Sequence, residues 1–291
     1  MFEAFRLHGL GYGQLAKRVF WELDRDNALG MAAELAYFTL LSIFPFLLFL
    51  LSLIAYLPIP GLEFRVLAYM SRVVPPDAMH LVRDIVVPLV ARQHGSILTI
   101  SILFTIWSAS MAMSTLASVL NHAYDLPETR SYPRRKSMAI VLTLGLSGFI
   151  ILAAVLLFSG PLLAQAVAAM VGLGALFKAI WLVVQWPVIF ILISFAMALI
   201  YHFAPSTKPP WHWITPGSVV ATILWIAFSL GFAYYVRNFG SYNKVYGSIG
   251  AVIILMFWLY LSGLAVIIGA ELNSEIARAR REATGPTTEH P

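Results

Sequence analysis

Ser248 to Glu271 reads SIGAVIILMFWLYLSGLAVIIGAE, with no charged residue between Lys244 and Glu271. A bilayer core about 30 Å thick needs roughly 20 apolar residues of helix to cross it. Lipid offers no partner to a free backbone N–H or C=O, so an uncharged run of this length is read as helix. Five other runs have the same character, at about 30–57, 97–120, 137–159, 179–203 and 214–236. The fold class that follows is all-α: a polytopic integral membrane bundle of about six transmembrane helices, occupying 29–275. Gly160-Pro161 breaks the uncharged stretch from Ser137 to Phe177. Segment 160–178 is therefore expected as a shorter apolar piece at the far interface rather than a further span.

Composition agrees. The chain is 60% hydrophobic and 11% charged, against about 25% charged residues in an ordinary soluble domain. The absence of cysteine excludes a disulfide framework, a thiolate metal site and a cysteine nucleophile. A net charge of +5 is best explained by basic loops that fix topology and meet anionic lipid, not by nucleic acid. Residues 1–28 lack an uninterrupted apolar core, so no cleavable leader is expected and the first span acts as the insertion signal.

Orientation follows from the basic residues. With both termini cytoplasmic, 12 of the 19 Lys and Arg residues fall inside. The densest group, Arg130, Arg134, Arg135 and Lys136, lies in a short loop, where the positive-inside rule is strongest. The expected location is the bacterial cytoplasmic (inner) membrane, as a multi-pass protein.

Outside the spans, 1–28 is a cytoplasmic amphipathic segment. Leu15, Val19 and Leu23 share one helical face beside Lys17 and Arg18, which suggests a helix lying in the interface. Loop 58–96 is too long for a bare connector, and Val82, Ile85, Val86 and Leu89 at helical spacing predict short helices on the outer face. The tail, 276–291, ends in small polar residues and is expected to be disordered.

Chemistry has few places to live. The seven histidines form no HxxxH or HExxH pair, and there is no Gly-rich phosphate loop or GxSxG elbow. No catalytic residue, no cofactor site and no metal site is assigned, and the chain is not expected to be an enzyme. The polar residues that stand out close the spans. Glu34 and Tyr37 lie in the first turns of span one; Glu271 and Asn273 close span six. Asn121 and Tyr124 end span two and His202 ends span four, all on the inner side. Ionisable groups inside a bilayer cost about 2.5–3.5 kcal/mol at its centre and less at its edge. Glu34, Tyr37, Asn121, His202, Glu271 and Asn273 therefore form a candidate polar vestibule for a cation, a proton or a lipid headgroup. The competing reading is that these carboxylates merely reach interfacial water or the basic loop. Tyr242, Lys244, Tyr246 and Gly247 form a candidate outer loop, either a gate or an aromatic belt. Ser110, Ser114 and Ser118 recur every fourth residue and read chiefly as a face for close helix packing.

Several of these stretches resemble a known family. Met31 to Leu53 (MAAELAYFTLLSIFPFLLFLLSL) is similar to the first helix of the YihY/virulence factor BrkB family. Trp107 to Arg130 (WSASMAMSTLASVLNHAYDLPETR) resembles its second helix and following turn. Tyr201 to Pro205, Pro216-Gly217 and Tyr246 to Asn273 resemble its closing half, so the likeness covers roughly 30–275. The resemblance implies a six-helix bacterial inner-membrane protein, formerly labelled ribonuclease BN, with roles in envelope integrity and lipid or small-molecule movement. It brings no catalytic residues to carry over. The matching positions are Glu34, Tyr37, Pro45, Asn121, Tyr246, Gly247, Glu271 and Asn273. The expected partners are membrane lipids and a small-molecule or lipid substrate, with no nucleic acid; a homo-oligomer or a protein partner stays open. A transporter-like or lipid-handling role is the first reading. A membrane scaffold for a protein partner is the alternative, and a ribonuclease is disfavoured.

Overall fold

The computed structural model describes residues 11–54, 95–149, 174–207, 213–238 and 243–284. Seven helices lie among them. They are α1 (Tyr12–Arg25), α2 (Ala28–Ile54), α3 (Gly95–Ala123), α4 (132–149), α5 (Gly174–Phe203), α6 (Pro216–Asn238) and α7 (Asn243–Thr284). Five of these, α2, α3, α5, α6 and α7, are long and apolar enough to cross a membrane. Helix α4 holds the first part of expected span 137–159, whose remainder lies outside the described residues. So do loop 58–94, segment 160–173 and Tyr242. Lys244, Tyr246 and Gly247 fall in the first turns of α7, where the backbone alone is described.

Helix α7 is the hub, packing against α1, α2, α3 and α6. Many of the buried side chains between helices are small, alanine above all. One cluster joins Ala117, Leu120, Ala123, Ile200, Tyr201, Ala204, Ala221 and Ala270. Another joins Ala28, Ala32, Leu35, Val119 and Ile267. The large apolar groups point the other way, with Phe44, Leu103, Leu230 and Phe257 all at least half exposed. This inversion is what lipid requires. Tails as apolar as leucine give no hydrophobic drive between helices, so association rests on close contact of small residues and on hydrogen bonds. Such bonds are present: Trp225 Nε1 donates to Ser262 (3.1 Å), Trp258 Nε1 to Ser229 (3.1 Å) and Ser194 to Thr222 (3.1 Å). Of the serine row on α3, Ser110 is buried and Ser118 is exposed. The hydroxyls of Ser110 and Ser114 bond to carbonyls of their own helix.

Two tight turns set the end of the bundle where α1 lies. Asn27, with φ 53°, sits between α1 and α2, and Asp125, also φ 53°, follows α3. After α3 the N–H of Leu126 donates to Asn121 O and that of Asp125 to His122 O, the pairing of a Schellman cap. Glycine is usual at that left-handed position; asparagine and aspartate are the next most tolerant residues.

The C-terminal expectation needs correction. Helix α7 does not give way to a disordered tail at 276; it continues to Thr284. Ile276 and Ala279 on this extension are buried, and Ile276 packs on Leu15 and Val19 of α1. The many charges of 271–282 mimic a solvated tail in composition, yet they repeat at helical spacing and pair. The same contact revises the reading of α1: its apolar face is covered by α7, while Phe20 (67% exposed) and Trp21 (59% exposed) point outward.

Candidate functional site

At the α1 end, the last turns of α3 and α5, the first turn of α6 and the exit of α7 converge. The segment after α3 is bracketed onto α5 by two side chains. Asn121 is buried; its Nδ2 donates to Glu128 (3.0 Å) and its Oδ1 accepts the Ser206 N–H (2.6 Å). Arg130, 9% exposed, pairs with Glu128 at 2.8 Å and donates to the carbonyls of Ala204 (3.0 Å) and Pro205 (3.2 Å). These carbonyls follow the C-terminus of α5, where a cation complements the helix dipole. The Arg130 hydrogen bonds hold the Glu128 carboxyl down, at about 2. Asn121 was expected in a vestibule; it is placed as part of this bracket.

Helix α6 starts with Thr215 as N-cap, Pro216 in the first turn and Ser218 closing a reciprocal pair. Ser218 N donates to Thr215 Oγ1 (3.1 Å) and Thr215 N to Ser218 Oγ (3.0 Å), a capping-box arrangement. Asn273 of α7 accepts the Gly217 N–H (2.8 Å) and donates to Thr215 Oγ1 (3.1 Å). Tyr201 donates to the Val266 carbonyl (2.7 Å). Removing that bond with Tyr201→Phe leaves a buried carbonyl short of a donor and is expected to cost about 1 kcal/mol, read as a lowered thermal midpoint.

Glu271 lies among these groups. It is 1% exposed, and its Oε1 has no hydrogen-bond partner among the described residues. Tyr124 lies beside it and also bonds Asn273. Burial, the Asn273 bond opposing it and the Glu271 charge adding to it, pushes the Tyr124 hydroxyl well above its usual range. The charges close enough to act on Glu271 are Asp26, Glu22, Asp125 and Arg25. Glu271, Asn273 and Tyr124 are thus brought together. His202 is half-buried, its ring edge-on to Phe203. Glu34 is exposed and Tyr37 is 53% exposed, whereas Ala32, Leu35 and Ala36 on the same helix are buried. Glu34 and Tyr37 therefore face away from the interior that holds Glu271.

The sequence reading missed an ion-pair network next to this site. Arg278 reaches Glu22 (2.7 Å), Asp125 (2.7 Å) and Glu275 (2.8 Å). Arg25 reaches Glu22 (2.7 Å), Asp26 (3.1 Å) and Asp125 (3.0 Å). Hydrogen bonding to Asp26 raises the Arg25 guanidinium further above its ordinary range. The available signal was the helical spacing of Glu22 with Arg25 and of Glu275 with Arg278. Beside the network, α1 and α7 enclose a groove of about 520 Å³ lined by Lys17, Arg18, Trp21, Glu22, Glu275 and Arg278 among others. Among the described residues no group of three or more His, Cys, Asp or Glu side chains is disposed to hold a metal ion.

Comparison with known proteins places this architecture. A model of the family described as Virulence factor BrkB matches residues 19–291. The chain is 36% identical over 265 residues to a protein of Bacillus subtilis (strain 168) named putative ribonuclease-like protein YfkH, covering 91% of this chain and 96% of that one. It is 29% identical over 274 residues to a UPF0761 membrane protein of Vibrio atlanticus, covering 90% of this chain and 82% of the relative. A UPF0761 membrane protein of Alkalilimnicola ehrlichii is also 29% identical, over 275 residues, but the match spans only 58% of its length. No solved structure matches the chain.

Proposed function

From the premise that this chain belongs to the virulence factor BrkB family of multi-pass membrane proteins, we propose that it handles a lipid or small molecule in the bacterial inner membrane. In this reading it supports envelope integrity and catalyses no covalent reaction. The observation that carries it is Glu271, a carboxylate buried at the end of a span with one oxygen unbonded. Packing does not require it, since an apolar residue would fill the same space without the cost of a buried charge. An intramembrane ionisable group is by default a marker of a pathway or binding site. Tyr124 and Asn273 beside it supply hydroxyl and amide groups, so the surroundings of Glu271 are polar.

The test is native mass spectrometry of protein released gently from its membrane, with Glu271→Gln beside it. The wild type is expected to carry a co-purifying lipid or small molecule, and the near-isosteric variant to bind it at least about tenfold more weakly, the effect of roughly 1.4 kcal/mol in affinity, with a thermal midpoint that does not fall. Clean wild-type protein, or equal ligand in both, would remove the support for this site.

A second reading, a scaffold for a protein partner, is favoured by Tyr12, Phe20 and Trp21, which stand exposed on α1. Crosslinking in native membranes that captures no stoichiometric partner counts against it. RNA cleavage has in its favour only the name of the Bacillus relative and the basic segment 130–136. Purified protein that leaves RNA intact is the expected result.

A further inference from the structure

We propose that the groove between α1 and α7 seats the headgroup of a phospholipid bearing a primary ammonium, the chemistry of phosphatidylethanolamine. The ammonium would donate to Glu275 and the phosphate would accept from Lys17 and Arg18. This deepens the lipid-handling reading and rests on it.

Glu275 is the reason for an ammonium. The residue is 1% exposed. Its Oε1 accepts from Arg278 (2.8 Å), but its Oε2 has no hydrogen-bond partner among the described residues. The nearest cation to Oε2 is Arg18 Nη1, at 3.7 Å, beyond hydrogen-bond reach. A buried acceptor left unbonded is costly, and Glu275 lines the groove together with Arg18, whose shift toward a phosphate opens the way to it. A primary ammonium entering there brings three N–H donors.

The phosphate half of the match is equally specific. Lys17 lines the groove, is exposed, and makes no ion pair among the described residues. Arg18 holds Glu282 at 3.2 Å, with side chains 39% and 53% exposed. An ion pair that wet contributes little, so its guanidinium is free to exchange a carboxylate for a phosphate, which it binds in the same forked geometry. Arg278 is committed to Glu22, Asp125 and Glu275. The charge balance also selects among lipids. The groove is lined by three carboxylates, Glu22, Glu275 and Glu282, and three cations, Lys17, Arg18 and Arg278, a balance that matches a zwitterionic headgroup better than one that is only anionic. A quaternary choline has no N–H to give Glu275.

The groove sits at the right depth. Glu275 is four residues beyond Glu271, about 6 Å along a helix, and the headgroup layer on each side of a bilayer is about 5–8 Å thick. Trp21 lines the groove and Phe20 stands exposed on the same helix, which suits the membrane interface where aromatic belts form. The volume falls within the roughly 300–1,000 Å³ usual for small-ligand sites.

The experiment uses full-length, delipidated protein in detergent. It is titrated with dioleoyl forms of phosphatidylethanolamine, phosphatidylcholine and phosphatidylglycerol and read by native mass spectrometry. Phosphatidylethanolamine is expected to bind about tenfold more tightly than either of the others, the effect of one added charge-assisted hydrogen bond. Glu275→Gln should abolish that preference. Because Glu275 is buried, Lys17→Ala is run as well: it is exposed, leaves the fold intact, and should weaken all three lipids severalfold. Equal affinities in the wild type, or unchanged binding in both variants, overturns the proposal. Displacement of the lipid by an equal concentration of soluble phosphoethanolamine overturns the assignment to a lipid. Glu271→Gln separates the two readings: it should keep the groove's lipid preference even where it loses the co-purified ligand.

Discussion

Gly269→Val is expected to cost more than about 3 kcal/mol, above the usual 1–3 kcal/mol for overpacking, and to leave little folded protein after extraction. A side chain on Gly269 would run into the Tyr201 hydroxyl, the Gly217 carbonyl and Ala221 Cβ. One on Gly217 would meet the Gly269 carbonyl and the Asn273 amide. Most of these obstacles are backbone or buried groups already in use, so no flexible chain end can swing aside. The two helices must part, and the Tyr201 and Asn273 bonds part with them. Gly231→Ala is the matched control, because nothing lies within 4 Å of a Cβ there. The measurement is thermal unfolding in detergent followed by size-exclusion recovery. If Gly269→Ala behaved like Gly231→Ala, the close crossing of α6 and α7 would not be what holds this end of the bundle.

Arg130→Ala is the second large effect, expected at about 2–3 kcal/mol: the Arg130 side chain is only 9% exposed although that of Glu128 is 26% exposed, and hydrogen bonds to charged groups contribute about 1.5–3 kcal/mol. It strands Glu128 and uncaps the carbonyls of Ala204 and Pro205 at once. Arg130→Lys should recover little of it, since an ammonium cannot serve a carboxylate and two carbonyls in fork geometry. The same pair predicts a pH signature. The Glu128 carboxyl is held at about 2 when folded, below its ordinary 4.5. Its contribution is therefore complete above about 4.5 and is lost as pH falls toward 2, because the folded state resists protonation and the unfolded state does not. Thermal midpoints measured across that window should fall in the wild type and fall less in Glu128→Gln. Equal slopes would refute the assignment.

The membrane helices were legible because an uncharged run of about 20 residues permits one structure in lipid. The helix over 276–284 was hidden because length and charge, the cues that find spans, say nothing about a helix that leaves the bilayer and pairs its charges with α1. Glu34 and Glu271 looked equivalent, each at the inner end of a span. Only the rotation of each helix in the bundle shows one outside and the other buried, and rotation is set by neighbours rather than by sequence depth. Asn121 and Arg130 belong to a stretch that carries the family resemblance, yet what they bind is the end of α5, more than 70 residues away in the chain. The Glu22, Arg25, Asp125 and Arg278 network was missed for the same reason.

The contact between the first helix and the last also has a consequence in time. Arg18 and Glu282 are 264 residues apart. At about 5–20 residues per second, a ribosome takes on the order of 10–50 s to add that length. Throughout that interval α1 exists without the surface that finally receives Leu15, Val19 and Leu23. Its apolar face has to wait against the bilayer, and only the arrival of α7 draws it off. The amphipathic pattern of 12–25 thus describes the nascent chain's lodging, and the ion pairs of the mature protein describe its destination.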